Sequence, residues 1–354
     1  MPENPNVPVD WALIEGFSFS CRPDCGLCCY TTPALNPTER TTLIQLQPEL
    51  PILAGPGGRS FVASRTGGGA CALLSSNRCG EHTARPGPCQ RFPLDVHLGD
   101  RIQISFVLSC PGITLAPLTS ERLDPGANFP PHGLESEVEA VRQWLSEPGF
   151  DRHVQQARQR RRKIKRFLTK VGVWEEDDSV RARLSTAIPF PTAKDFPAES
   201  PPAASDGLEL LPLYFDDHWG RVALAESVGG WEAITIAEVG GIDKHLGVFP
   251  PPESVPRLTA GARHLLNSYL RYFLKRDFLF GLVHLTLLEE PERLVGDAVK
   301  DELQRIGADV LTRAVIRGKI SGRPTDPLTE GDVEAGIRAA DMDLLDRPSW
   351  GNPP

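Results

Sequence analysis

All eight cysteines of this 354-residue chain fall between Cys21 and Cys110, and none follows. Cys21, Cys25, Cys28 and Cys29 come within nine residues of one another, and Cys71, Cys79, Cys89 and Cys110 complete the set. Thiols gathered so tightly oxidise and cross-link unless they are bridged or bind a metal. Either use forces turns and short strands on the segment that carries them, so helices must be sought elsewhere in the chain.

The redox setting separates the two uses. The opening residues, MPENPNVPVDWALIEG, show neither a basic region nor an apolar run of the secretory kind. The chain is 40% hydrophobic, enough to bury a core without cross-links. Its most apolar stretch, Phe278 to Leu288, is too short to span a bilayer. A cytoplasmic location is therefore expected, with no membrane partner. Thiols stay reduced there, which favours metal over disulfides.

Spacing adds detail. Cys25 and Cys28 make a C-x-x-C pair in which Gly26 supplies the turn. Cys28 and Cys29 are adjacent, and neighbouring side chains diverge in extended chain. The eight cysteines are therefore expected to form two sites or one polynuclear cluster rather than one closed site with four spectators. Thiolates suit zinc and iron–sulfur clusters alike. Cys21, Cys25 and Cys28 also have the C-x3-C-x2-C spacing of radical S-adenosylmethionine enzymes, but this chain lacks the strand–helix alternation of that group.

Taken in order, the elements are Phe19-x-Cys21, Cys25-Gly26-x-Cys28-Cys29, Cys71-Ala72-Leu73-Leu74, Cys79, Arg85-Pro86-x-x-Cys89-x-x-Phe92-Pro93 and Cys110-Pro111-Gly112. This order resembles the YkgJ-type cysteine-cluster family, whose domain is described as zinc- or iron-chelating. The likeness covers about residues 17–113. It implies that Cys21, Cys25, Cys28, Cys29, Cys71, Cys79, Cys89 and Cys110 are metal ligands. One departure is that Glu81 and His82 stand where the family often has an apolar residue and Tyr. His82 reads as a surface loop residue, with an extra ligand as the alternative.

The fold class expected is α+β. A small loop-rich cysteine domain with short β-hairpins (1–125) precedes a mainly helical domain with a small antiparallel meander (133–350). Strands are expected at Phe61 to Ala63 and Ala70 to Leu74 around Gly67-Gly68-Gly69, and a hairpin at Leu94 to Leu98 and Arg101 to Leu108. Thr38 to Leu46 reads as a helix capped by Thr38. Segments 114–133 and 188–207 read as linkers. Ser136 and Glu139 suggest a capping box. A helix is expected from Asp151 to Val171, ended by Gly172. The meander should comprise Leu208 to Phe215, Val222 to Ala225 and Trp231 to Ala237. Helices follow from Leu258, at about 292–317 and at 330–345, the last capped by Thr329.

Other features have plainer explanations. The basic run Arg158 to Lys170 reads as a solvated helix face, and a formal charge of −8 disfavours nucleic acid as a partner. Asp216-Asp217-His218 reads as a turn, and His284 as a core histidine. The function expected is a metalloprotein that binds zinc or an iron–sulfur cluster, with a protein partner or protein substrate. The alternative comes from resemblance to flagellin lysine N-methylases, carried by the cysteine spacing and by Asn267 to Phe273, NSYLRYF. It implies S-adenosylmethionine as a cofactor and methyl transfer to protein lysine.

Overall fold

The computed structural model describes residues 7–30, 33–55, 59–65, 69–119, 129–196, 201–206, 211–237 and 240–352. The architecture is α+β, with a strand-rich cysteine region followed by helices and a small meander.

The cysteine region is made of very short elements. Strand β1 (Val9–Asp10) is followed by a 3-10 turn at Leu27–Tyr30 and by β2 (Ala34–Leu35). Helix α1 spans Pro37–Leu46 and is capped by Asn36 rather than Thr38. The Asn36 side chain accepts from Glu39 N, and the Glu39 carboxylate accepts from Asn36 N, so the helix is capped two residues earlier with Pro37 in the first helical position. Strands β3 (Ile52–Ala54) and β4 (Ser60–Val62) join β2 in a sheet of order β2-β4-β3.

Ala70 to Leu74 is not a strand. Leu74 N donates to Cys71 O, so the chain turns there. Pairing resumes between β5 (Leu74–Ser75) and β6 (Arg78–Cys79), with Ser76 and Asn77 at φ +48° and +62°. Two consecutive left-handed residues are what a tight two-residue hairpin needs. Of the turn expected at Gly67-Gly68-Gly69, residues 67 and 68 lie outside the described residues.

Helix α2 (Gly87–Arg91) leads into the expected hairpin, β7 (Leu94–Leu98) with β8 (Ile102–Phe106). Helix α3 (Ala116–Thr119) lies within the stretch expected as a linker. Helix α4 spans Glu135–Leu145 with no capping box, because it starts after the buried Leu134, and the Ser136 hydroxyl donates to Glu137.

Helix α5 (Phe150–Lys170) ends where Gly172 adopts φ +83°. Gly172 N donates to Thr169 O and Val173 N to Leu168 O, a Schellman closure with Val173 and Leu168 both buried. Three cations of its basic run are used within the chain. Arg158 donates to Gly99 O and Asp100 O, Arg161 binds Asp100 and Asp177, and Lys165 pairs with Glu176. Arg160, Arg162, Lys163, Arg166 and Lys170 are exposed.

Helix α6 (Asp177–Thr186) was not expected, since only Val180 and Leu184 give it an apolar repeat. Among the described residues the meander has four strands, not three: β9 (Leu213–Asp216), β10 (Gly220–Ser227), β11 (Gly230–Ile236) and β12 (Ile242–Phe249). Strand β12 escapes a pattern search because it is a largely exposed edge with polar side chains and two register shifts.

Helices α7 (Ala260–Lys275), α8 (Asp277–Glu289), α9 (Val295–Ile320) and α10 (Glu330–Asp346) complete the chain, and Thr329 caps α10 in a full capping box. None of the described helices is long and apolar enough to cross a membrane.

Packing places the meander between the two regions. Val222 and Leu224 face Ile316 of α9 and Ala339 of α10, while Ala223 and Ala225 face Cys25 and Leu27. This is the strand period of two with both faces buried. The β7–β8 hairpin shares the largest core with helices α4 to α10. There Arg276, fully buried, pairs with Asp341 at 2.8 Å, and Tyr269 donates to the same carboxylate. Hydrogen bonds to its other atoms offset the cost of burying such a pair, although the buried Arg276 Nε has no partner among the described residues.

Candidate metal centre

Four backbone devices bring the cysteines together. Chain segment 18–21 runs beside segment 110–114: Phe19 bridges Ile113, Ser20 N donates to Gly112 O, and Thr114 N donates to Ser18 O. This sets Cys21 beside the Cys110 loop. Next, Cys25 N donates to Arg22 O, and Gly26 turns the chain at φ +59°. A side chain there would lie 3.1 Å from Asn77 O and 3.2 Å from the Arg221 guanidinium, so the turn needs glycine for space as well as for φ. Third, Cys71 N donates to Cys29 O at 2.6 Å, and the β5–β6 hairpin sets Cys79 opposite Leu74. Last, Cys89 sits on α2, whose first amide, Gly87 N, is held by Glu39 at 2.7 Å.

All eight cysteines line one cavity of about 460 Å³. All eight are free thiols. Cys25, Cys29, Cys71 and Cys110 are buried, Cys28, Cys79 and Cys89 are half-buried, and Cys21 is exposed. Among the described residues, no three His, Cys, Asp or Glu side chains already stand close enough to hold a single ion. The thiols are spread round the cavity wall instead.

Cys28 and Cys29 do not diverge as expected. They lie in the 3-10 turn rather than in extended chain, and their thiols hydrogen-bond to each other. That bond favours the Cys28 thiolate and, with burial, raises Cys29 far above the ordinary thiol range. Elsewhere burial dominates. It pushes Cys25 up to about 12 and Cys71 up to about 11, and it raises Cys89 and Cys110 further. Neighbouring thiols add to this. Cys25, Cys28 and Cys21 act on Cys110, whereas Cys28, Cys71 and Cys79 act on Cys89. At neutral pH the buried thiols are thus protonated unless a cation displaces the protons, which is the linkage expected of a metal site.

Three neighbours of the thiols were given no charge or contact role by the sequence. Arg85 lowers Cys21, Cys28, Cys79 and Cys89, so one guanidinium offsets charge over half of the thiols. Glu137 of α4, 5% exposed, lines the cavity 3.5 Å from Arg85. Nothing in the spacing of α4 marks it, because it reaches the cavity from a helix outside the cysteine segment. Asn77, at the hairpin turn, accepts from Arg221, which also donates to Cys25 O at 3.2 Å. His82 sits at the exposed rim of the cavity.

The later part of the chain holds the site in place. Arg338 of α10 donates to the carbonyls of Leu108, Cys110 and Ile113. Asp341 accepts from Leu108 N, and the Ser109 hydroxyl accepts from Met342 N. Arg22 pairs with Asp217, in the turn where Asp216 accepts from His218 N and Trp219 N. Asp216 ends β9 and its carboxylate holds the turn at Asp217 and His218, the turn signal expected. His284 is a buried core residue that accepts from Trp350 Nε1 and lies 3.4 Å from Asp177.

A family model named CxxCxxCC, "Putative zinc- or iron-chelating domain", matches residues 20–110. This stretch is therefore similar to a zinc- or iron-chelating cysteine-cluster domain. The match starts one residue before Cys21 and ends on Cys110, so it includes the whole cysteine set. No curated protein and no solved structure matches the chain. The donor set fits either metal the family description allows, since both zinc and iron–sulfur clusters are held by thiolates.

Proposed function

We propose that this protein holds a metal centre of more than one ion in the cysteine cavity, with the eight thiolates as its ligands. The observation that carries this is the lining of a single cavity by all eight cysteines, brought there from four separate stretches of chain. Four thiolates complete one zinc site or one iron–sulfur cluster, so eight are twice the requirement of one. A wall of thiols spread round about 460 Å³ suits a polynuclear group or two neighbouring centres. Free thiols kept for metal also imply a reducing compartment, in keeping with a cytoplasmic location.

Anaerobic purification followed by elemental analysis and visible absorption tests this. Iron with broad absorbance identifies iron–sulfur chemistry, and colourless protein with zinc identifies zinc. Four disulfides and no metal under those conditions would refute the proposal.

For the lysine N-methylase alternative, support stays with the cysteine spacing and the 267–273 segment. In the fold Tyr269, Tyr272 and Phe273 of that segment are buried, and both tyrosines form internal hydrogen bonds. Packing alone accounts for them.

A further inference from the structure

The cysteines that share the cavity are anchored by different cores. Cys29 and Cys71 belong to one small core with Leu35, Leu43 and Leu74, and Cys28 and Cys79 pack against it. Cys25 belongs to the core under the meander, and Cys110 to the large helical core. Hydrogen bonds divide them the same way. Cys29 and Cys71 are linked directly, Cys79 lies on the adjoining hairpin, and Gln47 and Glu39 of the α1 region tie that hairpin and the start of α2 together. Cys21 and Cys110 lie on the paired segments 18–21 and 110–114, one turn from Cys25.

Exposure sets one thiol apart. A second cavity of about 770 Å³ shares Phe19, Arg22, Pro111 and Gly112 with the cysteine cavity. All four flank the cysteines of the second group, and Cys21 is the exposed thiol. No cysteine of either group lines the cavity of 770 Å³ itself; the second group adjoins it through these shared residues.

We propose that the thiols form two unequal centres in the one cavity: an inner set of Cys29, Cys71, Cys79 and Cys89, none of them exposed, and an outer set of the exposed Cys21 with the buried Cys25 and Cys110, with Cys28 between them. This rests on the metal reading above and goes beyond it in dividing the ligands and their accessibility. Four protein thiolates close a structural site, whereas three leave a position for another donor. In the outer centre that position is filled by Cys28 or by a small soft donor, such as a thiol, entering beside the exposed Cys21. The outer metal is accordingly the exchangeable one.

The test uses the full-length protein purified anaerobically with its metal, challenged with EDTA while bound metal is followed by elemental analysis. Two phases are expected, a fast loss of about half of the metal and a slow loss of the rest, as an open and a closed centre require. Cys21→Ser should lack the fast fraction and Cys79→Ser the slow one. A single phase in the wild type, or complete loss of metal in both variants with folding intact by circular dichroism, would mean one centre. That outcome overturns the division and leaves the metal reading standing. Wild-type protein without metal would overturn both. If Cys79→Ser fails to fold, Cys21→Ser decides alone, since its side chain is exposed.

Discussion

The cysteine region and the C-terminal helices solve the same problem by opposite means. From Cys21 to Cys110 the longest strand has five residues, the longest helix ten, and a small core is built around Cys29, Cys71 and a few leucines. From α7 to α10 the helices run 13 to 26 residues and bury apolar side chains nearly all round. The second region is held by apolar area removed from water. The first encloses a cavity lined by thiols, and a cavity contributes no packing of its own. Short elements of this kind need an additional source of folding energy, and metal ligation supplies it.

Metal removal is the strongest way to break this contrast. Stripping the metal anaerobically should abolish hydrogen-exchange protection across residues 21–89 while the β7–β8 hairpin and α7 to α10, which share one core, keep theirs, a local loss on the order of 10 kcal/mol. Equal loss in both regions would show that the contrast is not energetic.

The second test uses the link between them. Asp341→Ala removes the partner of buried Arg276 and the acceptor of Leu108 N. A cost of about 3–5 kcal/mol to the whole chain is expected from the uncompensated charge. Because Leu108 roots the Cys110 loop, metal content should fall as well. Retention of full metal content in a destabilised Asp341→Ala protein would show that the loop holds without α10.

A third test is confined to the helical core. Burial lowers the His97 pKa from 6.5 to about 4, so the unfolded chain binds the proton more tightly than the folded one. The neutral form therefore contributes stability above pH 6.5 that is lost as pH falls to about 4, roughly 3 kcal/mol in all. Denaturant titrations between pH 7 and 4 should show this loss in the wild type and a shallower slope in His97→Asn. Parallel slopes would assign the acid sensitivity to other groups.

The smallest effects make a matched pair. Gly26→Ala places a side chain at φ +59° and costs about 1–2 kcal/mol. Thr329→Ala removes the α10 cap at about 1 kcal/mol. Only the first should lower metal content, since it displaces the turn between Cys25 and Cys28. A comparable metal loss in Thr329→Ala would mean that the centre responds to global stability rather than to its own turn.

The amino-acid sequence by itself determined what local rules control. The thiol set, the β7–β8 hairpin, the Gly172 stop and the Thr329 cap each depend on residues a few positions apart, and each was legible. Caps and turns that hinge on one residue's partner were less so: Asn36 displaced Thr38, and the Ser76-Asn77 turn showed no glycine to mark it. What only the tertiary structure decided is which thiols keep company and what holds them. Cys71 is set beside the turn of Cys28 and Cys29 because its N–H is bonded to Cys29 O, 42 positions back. Arg338 reaches the Cys110 carbonyl across 228 positions, Arg221 reaches Cys25 across 196, and Glu137 enters the cavity from α4. Such contacts carry no spacing signal, because distance along the chain sets only the entropy of closing the loop. Which partners meet at its end is decided by the packing of the meander against the cysteine loop on one face and α9 and α10 on the other.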